Sequence, residues 1–125
     1  MSSNRNWTLI AAGMLGFLGV LFAAAGSHWI EGLDEPALYR RWQAASVINL
    51  VHAAMLTALA LSAGRGRAIA WAGGLITAGV LAFSGSIYFS LISGTTGQLS
   101  LAPVGGVLLL AGWIAVASAG FSPRE

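Results

Sequence analysis

Six side chains in this 125-residue sequence have the types and spacing to do chemistry in an apolar setting: His28, Asn49, His52, Ser84, Ser86 and Tyr88. Asn49 and His52 stand three apart, so on a helix both project from one face. Ser84, Ser86 and Tyr88 crowd into one short stretch. A histidine near serines is the raw material of nucleophilic catalysis. Nothing here resembles a nucleophile elbow, however, and no third group is placed to orient the base. Two histidines also raise bis-histidine haem ligation. No carboxylate or thiol lies within the apolar segments to complete a metal site, and cysteine is absent. The expectation is a non-enzyme with no metal and no cofactor.

The elements that must hold these residues are read from where charge is missing. Between Ala68 and Pro123 the only ionisable side chain is Tyr88. Charged residues make up 8% of the chain and hydrophobic ones 57%, against about 25% charged in ordinary soluble domains. A charge at the bilayer centre costs about 2.5–3.5 kcal/mol on insertion scales, so membrane chains push charge to their loops. The class that follows is an all-α integral membrane protein, with the lipid bilayer as its first partner. The net charge of +2 is six arginines less four acids, and the arginines are too dispersed to form a nucleic-acid patch, so no nucleic-acid partner is expected.

Four apolar segments, about 7–27, 44–63, 68–92 and 101–121, can each cross a hydrocarbon core of roughly 30 Å. They predict a single domain, a compact bundle of four transmembrane helices. The first imitates a signal peptide, with Arg5, an apolar run and Ala23-Ala24-Ala25-Gly26. Its span from Trp7 to Gly26 exceeds a normal h-region, so a retained helix is expected. Asp34 before Glu35-Pro36 predicts an N-cap with proline in the first turn, starting the second helix below the bilayer proper. Gly64-Arg65-Gly66-Arg67 reads as a tight turn, and Ser93-Gly94-Thr95-Thr96-Gly97-Gln98 as an uncharged one.

Arg5, Arg65, Arg67 and Arg124 fall on one side of this topology, whereas Arg40 and Arg41 fall on the other beside Glu31, Asp34 and Glu35. Basic residues in short loops stay inside, so both termini are expected in the cytoplasm, with the chain in the cytoplasmic (inner) membrane. Trp7 and Trp71 mark the inner interface, and Trp29 and Trp42 the outer one. Trp113 lands near mid-membrane, where its indole N–H needs an internal acceptor.

Small residues recur at packing spacing: Gly13, Gly16 and Gly19; Gly74, Ala78, Ala82 and Ser86; Ala111, Ala115 and Ala119. Gly105 and Gly106 add a further close-packing point. Such stripes serve a tightly packed bundle or a homo-oligomer interface. An internal echo is also present. Gly13-Met14-Leu15 through Gly19-Val20-Leu21 matches Gly73-Gly74-Leu75 through Gly79-Val80-Leu81, which would make the bundle two repeated hairpins in parallel orientation.

Helix rise gives each polar group a depth. Ser84, Ser86 and Tyr88 lie roughly 24–30 Å up the third helix, and His28 roughly 30 Å up the first. Asn49 and His52 lie roughly 8 and 12 Å down the second from its outer end. The two histidines thus differ in depth by about 12 Å, which disfavours a shared haem iron. The inner half holds only Thr8, Thr57, Ser62, Thr77 and Ser118, which can bond their own helix carbonyls. A proton pathway is disfavoured, since no ionisable relay continues there. Two readings of the outer-half cluster stay open. One is an outward-facing pocket with Asn49 and His52 at its floor, Ser84, Ser86 and Tyr88 on its wall and His28 at its lip. The other is a hydrogen-bond network that fixes helix packing.

At these residues the chain resembles the bacterial membrane proteins of domain-of-unknown-function family 423. Ala24-Ala25-Gly26-Ser27-His28 resembles the family's Gly-Ala-x-Gly-Ala-His ending of the first helix. Trp42-Gln43-Ala44-Ala45, then Asn49 and His52, resembles its Trp-x-x-Ala-x-x-Tyr-Gln-x-x-His segment. Phe83-Ser84-Gly85-Ser86-Ile87-Tyr88 is similar to its Phe-Ser-Gly-Ser-x-Tyr motif. Pro103-Val104-Gly105-Gly106, then Gly112-Trp113, is similar to its Pro-x-Gly-Gly and Gly-Trp pattern. The departures are Ile48 where tyrosine is usual, Asn49 where glutamine is usual, and Ser27 for alanine. The lost phenol removes a polar group beside His52. The resemblance implies a four-helix cytoplasmic-membrane protein and no particular activity. Tiny loops, small-residue helix faces and the lack of catalytic groups make the functional expectation an accessory or assembly partner of a membrane complex. The alternative is a binding or transport protein for a small or lipid-like molecule using the outer-half pocket.

Overall fold

Each uncharged run closes its backbone hydrogen bonds within itself, as a chain in hydrocarbon must. The computed structural model describes residues 5–28, 35–62, 66–95 and 100–122. Helix α1 spans Trp7–His28 and α2 spans Pro36–Leu61. Helix α3 (Gly66–Val80) passes through a π-helical turn (Leu81–Gly85) into α4 (Ser86–Ser93), and α5 spans Ala102–Ala119. The stretch Gly66–Ser93 is one uninterrupted span of 28 residues, so the described residues form four helices long and apolar enough to cross a membrane.

The helix ends follow local chemistry. Asn6 caps α1, its Oδ1 accepting the Leu9 N–H at 3.0 Å. Proline opens α2 at Pro36, and the extended residue before it is Glu35. The expected capping residue, Asp34, lies outside the described residues, as do Trp29, Gly64, Arg65, Thr96, Gly97, Gln98 and Arg124. Helix α2 starts eight residues before the apolar run at Ala44, carrying Arg40 and Arg41 on its polar first turns. At the far end of the third span, Gly94 takes a left-handed conformation with φ 71° and closes α4.

Helix α1 packs chiefly on α2, and α3 chiefly on α5, with α2 joining the two hairpins through α3, the π turn and α4. One core cluster gathers Ala12, Leu15, Ala53, Leu56, Ala72, Ile76, Val80 and Leu109. A second, at the end where α2 begins, gathers Trp42, Ala45, Ile87 and Tyr88. Lipid tails are as apolar as leucine, so these contacts hold by close van der Waals fit rather than by exclusion of water. Glycines supply that fit. A Cβ on Gly19 would stand 2.8 Å from Leu50, one on Gly79 2.8 Å from Leu109, and one on Gly112 2.6 Å from Ile76. Gly105 lies against the backbone of Phe83 and the Gly79 carbonyl, and Gly26 against the Trp42 indole. The pairing of Gly19 with Leu50 in the first hairpin therefore recurs as Gly79 with Leu109 in the second.

The small-residue faces divide. A Cβ on Gly16 would meet Ala53 at 3.8 Å, and Gly19 and Gly105 are buried in helix contacts. A Cβ on Gly74 or Gly106 would meet nothing within 4 Å, and Ala78 is exposed. Helix α3 turns Ala72, Gly73, Ile76, Gly79 and Val80 inward, which places Gly74 and Ala78 on its outer face. The spacing of small residues identifies a face but not the direction in which it looks.

Candidate functional site

Helices α1, α2 and α4 meet in an aromatic and polar cluster. Trp42 donates its indole N–H to the Phe22 carbonyl at 2.7 Å, reaching past Gly26 where a side chain would block it. The Phe22 and Tyr88 rings lie 4.4 Å apart, and Trp42 and Tyr88 4.8 Å apart. Tyr88 donates its hydroxyl to Ser46 Oγ at 3.1 Å, and Ser84 donates to the Ala45 carbonyl at 2.7 Å. Both bonds are buried, and both join the third span to α2.

His52 makes a different contact. Its Nδ1 lies 2.7 Å from the Ile48 carbonyl, and its Nε2 lies 3.1 Å from Trp113 Nε1 on α5. The rings meet edge-on, with centroids 6.0 Å apart. This is the internal acceptor that Trp113 required. Although Trp113 is 47% exposed, its polar edge turns inward.

Asn49 is 2% exposed, and its Oδ1 is buried without a hydrogen-bond partner among the described residues. Its amide carbon would lie 3.3 Å from a Cβ on Gly19, so it faces α1. Residues three apart on a helix diverge by about 60°, which sends Asn49 toward α1 and His52 toward α5. Ser86 turns a third way, donating to the Phe83 carbonyl at 3.1 Å and standing 3.5 Å from Ser100 Oγ. His28 is the exposed last residue of α1. The six candidate side chains thus part company: Ser84 and Tyr88 lie together on α2, His52 meets α5, Asn49 faces α1, Ser86 bonds its own span beside Ser100, and His28 stands apart.

Toward the other end, hydroxyls bond their own helices. Thr57 bonds the Ala53 carbonyl, Ser62 that of Leu59, Thr77 that of Gly73 and Ser118 that of Ala115. Two polar partners, Ser46 and Asn6, were not singled out by sequence reasoning, and Trp42, expected at the outer interface, is instead buried in the core. Ser46 is a mid-helix serine with no positional signal. The Trp42 contact depends on Gly26 and on Phe22, twenty residues away. Asn6 was legible, because an asparagine just before an apolar run is a helix-start signature. Besides capping α1, its side-chain amide donates to the Ala60 carbonyl at 2.9 Å, near the end of α2.

Four apolar spans joined by interhelical hydrogen bonds, two of them buried, define a polytopic α-helical membrane protein. The family described as "Protein of unknown function (DUF423)" matches residues 22–106, and the chain belongs to it. A "UPF0382 membrane protein" of Staphylococcus aureus (strain bovine RF122 / ET3-1) is 31% identical over 113 residues, covering 86% of this chain and 93% of the relative. One from Haemophilus influenzae is 30% identical and covers 98% of both chains. UPF0382 membrane protein YwdK of Bacillus subtilis is 28% identical, covering 86% of this chain and 90% of its own length. No solved structure matches the chain.

Proposed function

We propose that this chain is a non-enzymatic protein of the cytoplasmic membrane, serving as an accessory or assembly partner of a larger membrane complex. The observation that carries this reading is the engagement of both His52 nitrogens, one by the Ile48 carbonyl and one by the Trp113 N–H. The strongest candidate base is thereby committed to packing. Ser84 and Tyr88 are likewise spent on α2, while the outer faces of α1 and α5 present large apolar side chains such as Phe17, Val107 and Ile114. Those faces are suited to lipid or to another helical membrane protein. Crosslinking in native membranes followed by purification in mild detergent tests this. A reproducible co-purifying membrane protein is expected; a lone monomer with no crosslinked partner would end the reading. The arginines at the Arg5 and Arg67 end support a topology with both termini in the cytoplasm.

A second reading, binding of a small or lipid-like molecule within the outer half, is favoured by Asn49 Oδ1, which is buried without a partner among the described residues. A ligand hydroxyl or N–H reaching Oδ1 would satisfy it. Native mass spectrometry of wild type, Asn49→Ala and His52→Ala distinguishes the two. An adduct present only in the wild type would support binding, and identical masses for all three, apart from the substitutions themselves, would support packing.

A further inference from the structure

The outer face of α3 carries a groove that the polar contacts do not use. Arg67, Ala70, Trp71, Gly74, Leu75 and Ala78 line an open groove of about 530 Å³. These positions follow one face of the helix. Its floor is shallow at Ala70, Gly74 and Ala78, and a Cβ added at Gly74 would meet nothing within 4 Å. Trp71 stands beside this floor, 65% exposed, one helical turn from Arg67. The guanidinium at the groove's end is also exposed. Among the described residues the only acid is Glu35, which opens α2 at the opposite end of the bundle. The other described cation near Arg67's end is Arg5, stacked over Trp7 at 5.8 Å.

We propose that this groove holds an anionic phospholipid, its phosphate on Arg67, its glycerol region beside Trp71 and one acyl chain along the Ala70–Gly74–Ala78 floor. The charge assigns the headgroup. A planar guanidinium pairs with phosphate in bidentate fashion, and an anionic lipid brings no ammonium to oppose Arg67 and Arg5. The indole of Trp71 stands one turn inward from the cation, near the start of the span, where an interfacial tryptophan would meet the glycerol region. Beyond it, the absent side chain at Gly74 and the single methyl of Ala78 let an acyl chain approach the backbone closely and gain dispersion contacts. A second copy of this chain fits less well. Pairing this face in parallel across a two-fold axis would bring two Arg67 guanidinium groups together with no described acid between them. The assignment stands apart from the accessory reading, because loss of a protein partner would leave the groove and its charge unchanged.

The test is native mass spectrometry of the full chain released from vesicles of equal parts phosphatidylglycerol and phosphatidylethanolamine. Wild type is expected to retain phosphatidylglycerol in clear excess. Arg67→Gln should lower that retention roughly fivefold, the ratio set by about 1 kcal/mol for one cation near an anionic surface. Gly74→Leu should lower it by raising the floor, and Arg40→Gln, at the opposite end, should leave it unchanged. Positions 67 and 74 are exposed, so neither variant disturbs helix packing. Brominated phosphatidylglycerol should also quench the Trp71 fluorescence, taken as wild type minus Trp71→Phe, more than brominated phosphatidylethanolamine. Equal retention of the two lipids, or retention unaltered in both groove variants, would overturn the proposal. A dimer mass abolished by Gly74→Leu would assign the groove to a second copy and overturn it as well.

Discussion

An indole N–H can only donate, so the ring nitrogen that Trp113 meets on His52 must offer a lone pair. The proton then resides on Nδ1, which donates it to the Ile48 carbonyl at 2.7 Å. Nitrogen-15 spectra of the protein in bicelles should accordingly show the Nδ1–H tautomer of a neutral ring; an Nε2–H signal would contradict the arrangement. A double-mutant cycle of His52→Ala and Trp113→Phe should return a coupling of about 0.6–1.7 kcal/mol, the range of interhelical hydrogen bonds in membranes. Asn49 makes the opposite case. Asn49→Leu nearly conserves volume and removes an acceptor that no described residue satisfies. Unfolding by steric trapping should record a gain of about 1 kcal/mol, whereas a loss would show that the carbonyl has a partner. The identities of the polar residues, and the need of Trp113 for an acceptor, were legible in the sequence. Their partners were not, because a difference of three positions along α2 becomes a choice between two neighbouring helices.

Among the elements, the π turn at Leu81–Gly85 changes which residues of the third span face α2. Positions four apart drift by about 40° per step round an ordinary α-helix. A wider turn between Val80 and Ser84 takes up that drift and keeps Val80, Ser84 and Tyr88, all buried, on the side facing α2. Such turns recur at functional positions. Gly105 seats α5 against this turn, touching the Phe83 backbone and the Gly79 carbonyl. Gly105→Ala should therefore cost about 1–3 kcal/mol, while Gly106→Ala, with open space around it, should be close to neutral; equal effects would refute the contact. The four spans were legible because uncharged runs of spanning length admit few other structures. The π turn was not, since Leu81-Ala82-Phe83-Ser84-Gly85 carries no feature that separates it from α-helix. Nor was the inward direction of α3, whose stripes at Gly73–Gly79 and Gly74–Ala78 look alike until a partner helix is placed.

At the scale of the whole molecule, two hairpins packed through equivalent glycines share α2 as their common wall. A reporter fused after Glu125 is expected to read out in the cytoplasm, because the sequence assigns four of the six arginines, Arg5, Arg65, Arg67 and Arg124, to that side; a periplasmic signal would reverse the orientation. Asn6 bears on how this assembly comes about. Its side chain joins the start of α1 to the Ala60 carbonyl, a partner that leaves the ribosome only when the second span is nearly complete. The first span therefore enters the membrane with that clasp open and acquires it only once the second has followed. The first hairpin is thus fastened at its open end only after both of its helices exist, so the clasp can report completion of that hairpin but cannot help the first span alone.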